Sequence, residues 1–167
     1  SYRNTIELVN FIEAIKYLIN KGFYVIRMGR DVEKKFPLKD DMFIDYANSN
    51  FSSDFMDIFL ANKCEFFIST LTGWDSVPYY SFRKCGVFVN SVPTLYMQTY
   101  RDKVFYLVKK HFLKGTSKEL GLEEICSNNV GYAFSTDDFS ENQVELEENS
   151  SKDILNIVMD LHRFIDS

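Results

Sequence analysis

The chain has 167 residues, 46% of them hydrophobic and 26% charged, a balance that excludes a disordered or collagen-like polypeptide and suits one globular domain with a single core. With 19 Lys plus Arg against 24 Asp plus Glu the formal net charge is −5, and no basic stretch is dense enough to grip a phosphate backbone, so nucleic acid is not an expected partner. Sixteen Phe and 10 Tyr supply wide packing surface for a core or, in the alternative use, ring faces for a planar ligand.

In chain order, Asn4 stands three residues before Glu7 in capping-box spacing, and Leu8, Phe11, Ile12, Ile15, Leu18 and Ile19 then recur at helical intervals up to Gly22. A helix is predicted there. Phe23 to Met28 is a β-branched and aromatic run ended by Gly29, which reads as a strand buried on both faces. Met42 to Tyr46 reads as a second strand, and Ser52 with Asp54 opens a helix carrying Phe55, Ile58 and Phe59 on one stripe. Cys64 to Ser69 is a third strand; the polar turn Thr70 to Ser76 follows it, and a helix is expected near Pro78. Gly86 to Asn90 is a fourth strand, closed by Pro93.

Beyond Pro93, Val104 to Val108 suits a strand, Lys109-Lys110-His111 and Gly115-Thr116-Ser117 suggest an irregular basic excursion, and a short helix is expected near Leu122 to Cys126. Asp137 to Asn149 is acidic and reads as solvated. Ser150 or Ser151 caps a last helix that carries Ile154, Val158, Leu161 and Ile165. Strands alternating with helices predict an α/β domain over residues 1–167: a doubly wound, mainly parallel, Rossmann-like sheet with helices on both faces.

The apolar runs reach only about five residues, far short of the roughly 20 that cross a bilayer, so no membrane span is expected. Cys64, Cys85 and Cys126 are widely spaced and odd in number, which reads as reduced thiols in a cytoplasmic protein. Ser1 is not an initiator Met and no signal-peptide pattern follows it, so the chain is expected to be a piece of something longer. His111 and His162 are isolated, and no metal is expected. A G-x-S-x-G elbow, a P-loop and a G-x-G-x-x-G turn are all missing.

Doubly wound sheets bind ligands at the carboxyl ends of their strands, so the candidate site residues are those at strand ends. Arg27-Met28-Gly29-Arg30 follows the first strand; a guanidinium can hold a phosphate through two hydrogen bonds, and glycine permits close backbone approach. The alternative is that Gly29 only makes the turn and Arg27 pairs with an acid such as Asp45. Thr72, Gly73 and Trp74 lie in a hydroxyl-rich turn whose N–H groups could converge on an anion, or which could simply start a helix with Asp75 or Ser76 as cap. Asp45 and Tyr46 end the second strand, where such folds often place an acid against a ribose, and Lys109 could add positive charge.

Several segments together resemble a family of bacterial glycosyltransferases associated with surface polysaccharide synthesis: Tyr2-Arg3-Asn4, Val25 to Gly29, Ile44 to Ala47, Phe67 to Ser69 with Thr72-Gly73, Asn90 to Pro93, and Val144 to Ser150. The resemblance covers nearly the whole chain. It implies the donor-binding C-terminal half of a two-domain GT-B enzyme, lacking its N-terminal half, since a complete enzyme needs about twice this length. It further implies that Arg27 and Gly29 approach the diphosphate of a nucleotide-sugar donor, that Asp45 and Tyr46 lie near the nucleoside, and that Thr72, Gly73 and Trp74 border the phosphates. The substrates implied are that donor and a glycan acceptor, with no metal or other cofactor. Rival readings are a nucleotide-sugar epimerase half, a receiver-like module, for which the first strand lacks the acidic pair, and an interaction module that has lost its site.

Overall fold

The computed structural model describes residues 7–98 and 103–167 apart from Asp31 and Glu33; the Asn4 cap expectation and Tyr2-Arg3 lie outside them. The chain is a mixed α/β domain. Its central sheet has three parallel strands, β3 (Phe66–Ser69), β4 (Cys85–Ser91) and β5 (Val104–Val108), in the order β3-β4-β5. β4 is buried from Gly86 to its end, as a strand flanked on both edges and covered on both faces must be, which explains its near-continuous apolar run.

Alternation along these strands divides the core into two layers. On one face Val87 and Val89 pack against Ile154, Val158 and Leu161 of α5 (Ser151–Ile165) and against Ala14 and Leu18 of α1 (Ile12–Asn20). A 3-10 turn, Leu8–Phe11, leads into α1. On the other face Phe67, Tyr79 and Phe88 form a ring cluster, with Phe67 and Phe88 centroids 5.3 Å apart. Gly86 makes that cluster feasible: a Cβ there would stand 2.4 Å from the Phe67 ring. Tyr79 belongs to a π-helix, Val77–Ser81, where the sequence suggested an ordinary helix near Pro78.

A separate parallel pair is formed by β1 (Val25–Ile26) and β2 (Phe43–Ile44), in the register Val25↔Phe43. Both strands are shorter than their apolar runs, and β1 is only half-buried. The chain leaves β2 at Asp45 and turns into the 3-10 helix Tyr46–Asn48, while Gly29 takes φ +147°, outside any strand conformation.

Four expectations need correction. The stripe of α2 (Asp54–Lys63) faces outward, with Phe55 74% exposed, while Asp57 and Ala61 face inward. Its cap is Ser53, whose Oγ accepts from Met56 N–H at 3.2 Å. The basic excursion after β5 is β6 (Lys110–Leu113), and it pairs antiparallel with β7 (Val144–Glu147) inside the segment expected to be solvated. Val144 is buried and Glu145 and Glu147 are exposed; this two-residue period is a strand signal hidden under an acidic composition. With α3 (Leu122–Ser127) and α4 (Thr136–Glu141), which lie between them in the chain, this antiparallel pair encloses a second small core containing Val92, Ile125, Phe139 and Val144. No helix of the described residues is long and apolar enough to cross a membrane.

Candidate functional site

Arg27 follows β1 directly and stays in register with the end of β2: its N–H donates to Ile44 O at 2.9 Å and its carbonyl accepts from Ala47 N–H at 3.0 Å. Its Nη1 donates to Lys34 O at 2.8 Å and to both Asp45 oxygens at 3.2 and 3.4 Å, with the guanidinium 5.7 Å from the Phe36 ring centre. This is the Arg27–Asp45 pairing weighed as the alternative above. Among the described residues every bond of the Arg27 side chain leaves from Nη1, so Nη2 and Nε keep their donors. Asp45 also accepts from Phe36 N–H at 3.0 Å and Asn48 Nδ2 at 2.7 Å. A Cβ on Gly29 would come within 3.2 Å of Val32 Cγ1, so this glycine serves both a positive φ and a close turn.

Tyr46 does not project as a strand-end residue. It is buried, donates to Asp57 Oδ1 at 2.8 Å and accepts from Ser53 N–H at 3.1 Å. Arg30 closes this network on Asp57 Oδ2 at 3.1 Å and also pairs with Asp54.

At the end of β3, Leu71 takes φ +59° and the chain enters a three-residue 3-10 helix, Gly73–Asp75, with Thr72 extended ahead of it. Neither Asp75 nor Ser76 caps a long helix. Asp75 instead folds back to accept from Ser69 Oγ at 2.6 Å and is buried, and loss of solvent pushes its carboxyl above the usual range, opposed by the Ser69 bond. Thr72 and Gly73 are exposed. Trp74 Nε1 is buried and has no hydrogen-bond partner among the described residues.

A cavity of about 520 Å³ lies between β1 and β3. Its lining includes Arg27, Met28, Ser69, Thr70, Thr72 and Trp74, which stand at and after the ends of β1 and β3, together with Phe11, Ile15, Leu18, Phe23 and Phe66 and the charged Lys63 and Glu65. Of the expected site residues, Arg27, Thr72 and Trp74 thus border one cavity, and Asp45 is tied to it through Arg27. Gly29, Tyr46, Gly73 and Lys109 are not among its lining residues. Lys109 follows β5 and is 5% exposed, its Nζ 3.6 Å from Glu148 Oε1. Among the described residues no three His, Cys, Asp or Glu side chains gather in a way that could hold a metal ion.

A second polar group, at the end of β4, was not among the expected site residues. Asn90 N–H donates to Asn149 Oδ1 and Asn149 N–H to Asn90 Oδ1, both at 2.7 Å, and Asn149 Nδ2 reaches Val108 O at 2.8 Å. These bonds clamp the start of α5 onto β4 and β5. The residues are 59 positions apart, so only the folded chain reveals the pair. Thr70 was visible as the first residue of the hydroxyl-rich turn and Ser69 as the end of the third strand, but their place at the cavity was not. Compared with protein-family models, with curated proteins and with solved structures, the chain matches none.

Proposed function

We propose that the chain is the donor-holding half of a GT-B-type glycosyltransferase, a doubly wound Rossmann-like domain that grasps the diphosphate of a nucleotide sugar at the carboxyl ends of its parallel strands. The reading rests on the resemblance set out above, and one observation supports it most: Arg27, just after β1, and Ser69, Thr70 and Thr72, at and just after the end of β3, all line one cavity. A guanidinium with donors left over and a set of hydroxyls is the chemistry that holds pyrophosphate without a metal. In this scheme Arg27 is the anchor, oriented by Asp45, and Thr72 and Thr70 donate to phosphate oxygens. The sugar is transferred to a glycan acceptor held by a second domain in the cytoplasm, and that domain supplies the base that deprotonates the acceptor hydroxyl.

Calorimetry with UDP, GDP, ADP and CMP tests the reading. Heat is expected with at least one diphosphate, weakened about 10- to 100-fold by Arg27→Ala or Thr72→Val, since a hydrogen bond to a charged group contributes about 1.5–3 kcal/mol. Thr72 is exposed, so the second variant keeps the core intact. No heat with any of the four nucleotides sinks the proposal. An epimer formed without consumption of acceptor, in an enzyme containing this domain, would favour the epimerase.

One observation supports an interaction surface as a second reading. Phe55 and Phe59 stack with centroids 6.2 Å apart on the outer face of α2, and Tyr96 meets Tyr132 and Phe134 elsewhere; none of these rings lines the cavity. Exposed rings grouped away from the strand ends are what a partner surface requires. A monomer–dimer equilibrium shifted by Phe55→Ser with nucleotide binding unchanged would assign the rings to that role.

A further inference from the structure

The cavity is bordered by two strand edges. In β1, Val25 N–H donates to Met42 O at 2.8 Å and Arg27 N–H to Ile44 O at 2.9 Å. Main-chain groups alternate sides along a strand, so the N–H and C=O of Ile26 point away from β2. β3 pairs with β4 on one side and is the end strand of its sheet. Consecutive residues of both strands line the cavity, Val25 to Met28 and Phe66 to Ser69. A cavity lying on the face of a strand would touch every second side chain; one lying along its edge touches each residue in turn.

The two edges run side by side. Phe23, just ahead of β1, meets Phe66 at the start of β3 with ring centroids 5.4 Å apart, and Val25 and Ile68 pack on the same core layer. β1 and β3 nevertheless form no ladder with each other and belong to separate sheets. Phe11, Ile15 and Leu18 of the first helical segment also line the gap. A helix that leads into a parallel strand normally covers the strand before it as well, in a right-handed crossover. Among the described residues α1 has no strand before it.

We propose that this gap is a slot for one further parallel strand, a run of bulky apolar residues joined to the N-terminal side of α1. The inference rests on the strand edges and is independent of the donor reading. Its occupant is apolar on both faces, because the slot lies between the α1 layer and the Phe67 layer, and extended, because two edges present main-chain donors and acceptors that a strand satisfies and a small apolar molecule does not. The volume by itself would also suit a ligand, since such pockets span about 300–1,000 Å³; the paired edges favour the strand. Filling the slot joins the separate sheets into one of six parallel strands, in the order β2-β1-new-β3-β4-β5. The chain order reverses at the inserted strand, and its carboxyl end emerges between Arg27 and Ser69, at the switch point where such sheets bind ligands.

The experiment extends the chain before Ser1 with a designed strand, Thr-Val-Ile-Val-Val-Leu, and a Gly-Ser joint, beside a control in which the second and fourth residues are Pro. Amide hydrogen exchange is followed at Ile26, at Met28 and along β3, with thermal melting and sedimentation on the same proteins. The designed strand is expected to slow those amides by about tenfold or more, to raise the melting temperature and to leave a monomer, and the Pro control to do none of these. The proposal is overturned if the strand gives no protection or the control protects equally. It is overturned as well if protection comes only with dimer formation, or if dodecanoic acid added to the unextended chain protects the same amides to the same degree. Calorimetry with UDP on these proteins keeps the two ideas apart: protection without heat leaves the strand in place and removes a UDP-sugar as the donor.

Discussion

Arg27 and Asp45 show how far a residue can be read before the fold is known. Both stood at strand ends in the sequence, where their pairing was one of two open readings, and the parallel pairing of β1 with β2 brings those ends together and decides for it. That the same Arg27 shares a cavity with Thr72 does not follow, because it depends on where β3 lies. His111 gives a titration that belongs to this scale. It is 1% exposed, its ring lies 5.9 Å from Phe139, Nδ1 is 2.8 Å from Lys109 O, and Nε2 is buried with no partner among the described residues. Loss of solvent holds its pKa below the ordinary 6.5, since the charged form would place an unsatisfied N–H⁺ in the small core. The unfolded chain therefore takes up this proton first as pH falls. The His111 contribution to stability is complete above 6.5 and is lost progressively below it. Urea unfolding between about pH 7 and 5 should show a steeper acid-side loss for the wild type than for His111→Leu; parallel curves would refute this.

Elements were legible where the local signal and the tertiary environment agree. The last helix is the clearest: Ser150 Oγ accepts from Asp153 N–H at 3.2 Å while the Asp153 carboxylate accepts from Ser150 N–H at 3.1 Å. This reciprocal cap holds the Asp153 carboxyl below its usual range, chiefly through the Ser150 side chain. Ser150→Ala should cost about 1 kcal/mol, within the usual range for a lost cap, read as a lower denaturation midpoint with an unchanged denaturant slope. Restoration by Ser150→Asp would confirm the cause. α2 and β7 depart from their local patterns for opposite reasons. In α2 the apolar stripe is real, but Asp57 is drawn inward by Tyr46 and Arg30, so hydrogen bonding rather than hydrophobicity sets the helix's rotation. In β7 the alternation Val144-Glu145-Leu146-Glu147 was outvoted by its acidic neighbours, and Lys110, 3.9 Å from Glu147 and 3.3 Å from Asp153, answers part of that charge.

At the scale of the whole molecule, α5 is what joins the layers, with Ile154, Val158 and Leu161 fully buried against β4 and α1. Leu161→Ala should remove about 2–5 kcal/mol, a large part of the 5–15 kcal/mol typical of a domain, and equilibrium urea unfolding measures it. A loss under 1 kcal/mol would mean that this layer is not the main core. By itself the amino-acid sequence determined the α/β class, the parallel strands, the main helices and the hydroxyl-rich and arginine-bearing turns, because each depends on periodicity and caps within about 20 residues of chain. Only the tertiary structure decided that β1 and β3 stand apart around a cavity, that Asn90 and Asn149 lock β4 to α5, that Lys109 is buried beside Glu148, and that the rings of α2 face outward. These are contacts between distant segments, and their energies depend on which surfaces meet, which local pattern does not encode.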